Sequence, residues 1–64
     1  MDFKNNSLFA ELVAAHKAGL KLSRSKGKAS AYRALIQKQM NLEEKIMRQY
    51  GVAFSQLNGA KISA

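Results

Sequence analysis

The sequence predicts an all-α protein built as a helical hairpin, and three observations lead to that fold class. Apolar residues recur at helical spacing over residues 7–22 and again over residues 31–50. Between them, residues 23–30 are polar and basic and contain Gly27, which is typical of a connecting loop. The chain has no proline, so its helices must end at glycines and polar clusters. At 64 residues, it is expected to form a single small domain.

The first helix is expected to span about residues 7–22. Residues 1–6 are interpreted as an extended or frayed start. Ser7 is the expected N-cap, because a hydroxyl oxygen can accept a hydrogen bond from a free amide of the first turn. Leu12 and Gly19 fall on one apolar stripe. Glycine there lowers helix stability by about 1 kcal/mol relative to alanine, but it permits close approach of another helix.

The second helix, about residues 31–50, has the clearest amphipathic pattern in the chain. Ser30 is its expected N-cap, and Gly51 is the glycine expected just beyond its end. Its apolar side covers about 160° of a helical wheel drawn at 100° per residue. We therefore expect this side to be buried, either in the core or against another chain.

The C-terminal segment, residues 52–64, fits two structures. Asn58-Gly59 is a common two-residue hairpin turn, which would pair residues 54–57 with residues 60–63. A short helix would instead bring Val52, Leu57 and Ala60 inward together. The helix is favoured, because an isolated two-stranded ribbon is only marginally stable.

The small size of the chain predicts a homodimer. A domain this short buries only about 60% of the surface that its unfolded chain exposes. The chain has no cysteine, so no disulfide can add stability. The expected dimer or partner interface lies on the second helix and comprises Tyr32, Leu35, Ile36, Gln39, Met40, Glu43, Ile46, Met47 and Tyr50.

Three polar residues interrupt the apolar stripes of the two helices. They are His16 on the first helix and Gln39 and Glu43 on the second. Burial without a partner costs about 1–3 kcal/mol per polar group. One hypothesis is a buried hydrogen bond between His16 and Glu43 that fixes the helix register, either within the chain or across a dimer. The alternative is that the helices are offset and these groups reach the rim.

The residue inventory argues against an enzyme. Nucleophilic catalysis needs a base beside its nucleophile, and the chain offers one histidine and four carboxylates. Glu43 and Glu44 are sequence neighbours that point about 100° apart on a helix. No metal site and no cofactor are expected. The sequence also predicts no signal peptide and no transmembrane segment, so the expected location is cytoplasmic.

Basic residues concentrated in the middle of the chain are the strongest functional signal. The net charge is +7, and residues 17–38 hold seven basic residues and no acid. A localised basic segment is typical of a surface that binds a polyanion. DNA or RNA is the expected partner, with phosphates held by Lys17, Lys21, Arg24, Lys26, Lys28 and Arg33.

The spacing of Ile46-Met47, Tyr50-Gly51-Val52, Leu57 and Ala60 resembles the helix-turn-helix motif of DNA-binding proteins, with Gly51 as the turn glycine. The resemblance covers about a quarter of the chain. It implies that Gln56, Asn58 and Lys61 face bases or phosphates. Met47 departs from the motif, which usually has alanine at that position, and Gly59 would lie inside the reading helix.

Two other functions fit the same sequence. A small basic helical chain could act as a protein-binding module that inhibits or assists a larger protein, with its apolar helix face as the interface. A basic amphipathic helix is also typical of peptides that lie on a membrane surface. The membrane alternative is weaker, because the basic residues concentrate in a serine-rich loop rather than along the apolar face.

Overall fold

A computed structural model describes residues 2–64, and the expected all-α class is confirmed. A short 3-10 helix spans Phe3–Asn5 and precedes three α-helices. Helix α1 spans Ser7–Ser23, helix α2 spans Ala29–Tyr50 and helix α3 spans Phe54–Ser63. No strand occurs within these 63 described residues.

An apolar contact holds the start of the described chain: Phe3–Asn5 form a 3-10 helix instead of the expected extended or frayed segment, whereas Asp2 and Asn6 do have extended backbone; Met1 lies outside the described residues. Phe3 is buried, and its ring packs edge-on against Phe9 at 5.4 Å and Tyr50 at 6.3 Å between centroids. Its burial draws the preceding turn onto the helices, because a phenylalanine side chain gains about 1.5–3 kcal/mol on leaving water.

The N-cap of α1 is Asn6, not Ser7 as expected. The Asn6 side-chain oxygen accepts a hydrogen bond from the amide of Leu8 at 2.8 Å. Its side-chain nitrogen donates to the hydroxyl of Tyr50 at 2.8 Å. Asn6 therefore satisfies a free amide of α1 and ties the start of α1 to the end of α2.

Helix α2 begins at Ala29, so the expected N-cap Ser30 lies inside the helix. Lys28 occupies the cap position and makes no side-chain capping bond. The other end agrees with expectation: Gly51 adopts a left-handed conformation (φ 67°), and its amide donates to the Met47 carbonyl at 2.8 Å. Glycine suits this position because it has no Cβ to clash in that conformation.

Helices α1 and α2 run alongside each other in opposite directions. Asn6 near the start of α1 contacts Tyr50 at the end of α2. Gly19 near the end of α1 lies so close to α2 that an added Cβ would be 3.4 Å from the Gln39 amide nitrogen. The close approach expected from a glycine on the apolar stripe is therefore present.

Helix α3 packs against both α1 and α2, which confirms the helical alternative for the C-terminal segment. Leu57 on α3 is fully buried. It joins the core with the 3-10 helix and the two long helices; the core residues are Phe3, Phe9, Leu12, Leu42, Ile46 and Leu57. A helix is more stable than a two-stranded ribbon here, because it packs one apolar side against the core formed by the other helices.

The core occupies only the end of the molecule where α3 and the 3-10 helix pack. From Leu20 to Lys38, Leu22 and Leu35 are the only residues that are even partly buried. The described chain measures 40 × 19 × 19 Å, so the α1–α2 connection forms an end remote from the core. Among residues 2–64, no helix combines the length and hydropathy that crossing a bilayer requires.

Two glycine substitutions should change stability in opposite directions. Gly51→Ala should destabilise the fold by about 1 kcal/mol, because alanine is strained at positive φ. Gly59→Ala should stabilise it by about 0.5–1 kcal/mol, because Gly59 is helical and an added Cβ meets open space. Urea unfolding followed by circular dichroism measures both. Equal changes for the two variants would contradict this account of the α2 end.

Candidate nucleic-acid interface

The end formed by the α1–α2 connection carries six exposed cations, which we call the basic end. Two lie on the last turns of α1, three on the connecting loop and one on the first turns of α2. They are Lys17, Lys21, Arg24, Lys26, Lys28 and Arg33. Among residues 2–64, no carboxylate lies within 4 Å of any of the six charged groups, so the basic end is free to bind an external anion.

Local hydrogen bonds shape the loop of the basic end. The amide of Ser25 donates to the Leu22 carbonyl at 3.0 Å, and the Ser23 hydroxyl donates to the Leu20 carbonyl at 2.7 Å. These bonds satisfy carbonyls that the last turn of α1 would otherwise leave free. Gly27 then reverses the chain at positive φ (77°). The serines and Gly27 therefore fix the backbone and leave the cationic side chains in solvent.

The positive charges at the basic end destabilise the start of α2 when no anion is bound. The first turn of α2 contains no acidic residue, and Lys28 occupies its cap position. A cation at a helix N-terminus opposes the helix dipole by about 0.3–1 kcal/mol. The neighbouring amides also lack a side-chain acceptor, which makes this terminus suitable for an anion. A bound polyanion would offset the charge of Lys28 and accept hydrogen bonds from these amides.

The width of the molecule at the basic end limits how many phosphates it could span. Its cations lie on two adjacent helices and a five-residue loop, within a molecule 19 Å across. Duplex DNA carries a phosphate charge about every 1.7 Å along its axis, so several phosphates fit across this width.

The structure places Lys61 elsewhere than expected, so its assignment to a nucleic-acid surface was wrong. Lys61 is only 7% exposed. Its Nζ donates to Gln39 Oε1 at 3.2 Å and to Glu43 Oε2 at 3.4 Å. A buried lysine requires such partners, because an unpaired charge in the interior is strongly unfavourable. Lys61 follows Leu57 by four residues, and that helical spacing was the signal that it faces inward.

The same cluster changes the interpretation of the polar residues on the apolar stripes. Glu43 is paired with Lys61, so the hypothesis of a His16–Glu43 bond was wrong for a bond within one chain. His16 is half-buried, and it makes no side-chain hydrogen bond within residues 2–64. Gln39 and Glu43 are buried by α3 instead of reaching the rim.

The other two residues that the helix-turn-helix resemblance implied are on α3. Gln56 is exposed and Asn58 is partly buried. They lie on the helix that packs at the core end, whereas the basic end is formed by the α1–α2 connection. The structure therefore does not bring Gln56 and Asn58 together with the six cations.

The expected interface residues on α2 divide into two groups. Gln39, Glu43 and Ile46 are buried within the single chain, so they were wrongly assigned to an intermolecular surface. The others remain at least partly accessible: Tyr32, Leu35, Ile36, Met40, Met47 and Tyr50. The reason is that α1 and α3 of the same chain together cover this part of the apolar side of α2.

The groups on the surface can bind anions and apolar side chains. Residues 2–64 contain no cluster of three or more histidine, cysteine or acidic side chains that could hold a metal ion. No protein-family model, curated protein or solved structure matches this chain. Function is therefore inferred from the arrangement of its residues alone.

Proposed function

We propose that this protein binds nucleic acid through the phosphate backbone, using the basic end. The observation that carries the proposal is the acid-free run of residues 17–38, whose seven basic residues are all exposed. None of the seven forms an ion pair within residues 2–64. A basic surface that served only solubility would tolerate interspersed acids, which this run lacks.

Binding would follow from counterion release. Each phosphate that a lysine or arginine neutralises frees condensed cations, so affinity falls steeply as salt rises. The exposed amides at the start of α2 add hydrogen-bond donors for a phosphate oxygen. These contacts carry no sequence information, so the basic end positions the protein without specifying a base sequence. A regulatory or site-occluding role fits such binding.

Any sequence preference would come from another part of the surface. Gln56 and Asn58 on α3 have amide groups of the kind that contact adenine edges. They lie away from the basic end, so a single short stretch of nucleic acid is not expected to contact both. We therefore expect weak sequence preference.

The direct experiment is binding of the purified protein to labelled duplex DNA and to RNA at two salt concentrations. We expect dissociation constants in the micromolar range at low salt, and weaker binding at higher salt. Vesicles of anionic lipid serve as a second polyanionic surface. Absence of binding to either nucleic acid at low salt would overturn the proposal, and preferential binding to vesicles would favour a membrane surface.

Neutralising the loop should weaken binding equally for all sequences. The variant Arg24→Gln, Lys26→Gln, Lys28→Gln should lower the salt slope by up to about 2.7, since each phosphate contact contributes about 0.9. Titrations across a salt series measure the slope. The matched control neutralises Lys4, Lys45 and Arg48, which are exposed cations outside the basic end. An equal loss in both variants would mean that net charge, not the basic end, governs binding.

One observation favours a second candidate function, the binding of another protein. Met40 on α2 and Phe54 on α3 are more than half exposed, at 56% and 52%. Exposed apolar side chains that share a surface are typical of protein interfaces. Salt separates the two functions, because an apolar interface persists at salt concentrations that release nucleic acid.

A further inference from the structure

Large apolar side chains are at least partly exposed along one side of α2 and at the start of α3, a surface that we call the α2 face. At about 100° per residue, four positions of α2 fall within about 80° of one another. With the first residue of α3, the α2 face comprises Tyr32, Ile36, Met40, Met47 and Phe54. Met47 is half-buried and the other four are exposed.

The two halves of the α2 face differ in how far they are covered. An open groove of about 750 Å³ lies in the half near α3, where Met40, Met47 and Phe54 line it together with polar side chains that include Gln37, Asn41 and Arg48. The half near the basic end presents Tyr32 and Ile36, each 36% exposed, and the Tyr32 ring also approaches α1 at Gly19. Because both halves lie on the same side of one helix, a second copy turned end for end would place its Tyr32 and Ile36 at this groove.

The charges beside the α2 face are also complementary to a second copy. Arg33 follows Tyr32 on α2, and Glu44, which is also paired with Arg48 of its own chain, lines the groove; at 100° per residue both fall on the same edge of the face. An antiparallel pairing with its axis near residue 39 sets Tyr32 of one copy opposite Met47 of the other. The same pairing brings Arg33 of one copy within a helical turn of Glu44 of the other.

We propose that two copies of this chain associate through the α2 face as an antiparallel, two-fold dimer. A two-fold interface uses the same surface on both subunits, which a face with complementary halves satisfies. The contact extends over about 22 Å of helix, so its buried area should lie at the low end of the range for specific interfaces. We therefore expect dissociation in the micromolar range.

The dimer has a consequence that rests on the proposed function. The axis near residue 39 lies ten residues from Ala29, so the two copies of that residue would be about 30 Å apart. The two basic ends would then be separated by about 30–40 Å, close to one turn of duplex DNA. The implied ligand is a duplex of at least about 15–20 base pairs. This length lets both basic ends contact the same side of the duplex.

The dimer is tested by the mass in solution over a range of chain concentrations. Met40→Glu, at the centre of the α2 face, should raise the dissociation constant of the dimer at least tenfold. Ala14→Glu adds the same charge to an exposed position of α1 and should change it less than about twofold. Circular dichroism checks that both variants fold. A chain that stays monomeric at all concentrations, or a dimer unaffected by Met40→Glu, would overturn the proposal.

The orientation is tested by cross-linking, since the natural chain has no cysteine. A short bismaleimide should join Arg33→Cys to Glu44→Cys in a mixture more efficiently than it joins either variant to itself. Preferential joining of like variants would overturn the antiparallel arrangement. The two proposals fail separately: monomeric protein that still binds duplex DNA with steep salt dependence refutes the dimer and leaves the basic end intact.

Discussion

Replacing Lys61 by methionine should destabilise the fold by about 3 kcal/mol. The substitution leaves the Glu43 carboxylate and the Gln39 amide buried without the ammonium that both contact. Removal of one partner of a buried ion pair typically costs 3–5 kcal/mol, because the remaining charge is uncompensated. A protein of this size has a total stability of only about 3–10 kcal/mol, so the loss is a large fraction. Urea unfolding at low temperature measures it.

The double variant Glu43→Leu, Lys61→Met should recover most of that loss. Replacing both charges by apolar side chains of similar volume is often neutral or stabilising. The exposed pair Glu44–Arg48, 2.6 Å apart, serves as the control. Its double glutamine variant should change stability by less than about 1 kcal/mol. Strictly additive costs at Glu43 and Lys61 would show that the buried pair is not coupled.

Leu57→Ala should destabilise the fold by about 2–5 kcal/mol and loosen α3. Leu57 is fully buried among side chains of both long helices, so its truncation leaves a cavity at the point that anchors α3. Ile62→Ala on the same helix is the matched control, because Ile62 is 62% exposed. Hydrogen exchange should show the largest loss of protection in α3. Equal effects of the two substitutions would contradict the assignment of Leu57 to the core.

The sequence was sufficient to predict features that depend on local spacing. The apolar repeat predicted both long helices, and Gly51 predicted the end of α2 because a left-handed residue there favours glycine. The exposure of the loop cations followed from the lack of apolar residues around them. Each of these features is decided by residues within a few positions of one another.

Features that depend on long-range contacts were missed. Phe3 packs against Tyr50, which is 47 positions away, as well as against Phe9, and the 3-10 helix at Phe3–Asn5 was not predicted. Burial of Lys61 requires the side-chain oxygens of Gln39 and Glu43, which lie in the middle of α2. A lysine near the end of a chain normally lies in water, so only the position of α3 on α2 reveals that it is internal.

The separation between the core and the basic end has a consequence for inheritance. None of the loop cations belongs to the core. The loop backbone is held by hydrogen bonds to the last turn of α1. Substitutions of Arg24, Lys26 and Lys28 therefore escape the selection that preserves folding, and under the proposed function only binding restrains them. Lineages of this chain should thus vary in the number and position of loop charges while keeping Leu12, Ile46 and Leu57 nearly unchanged.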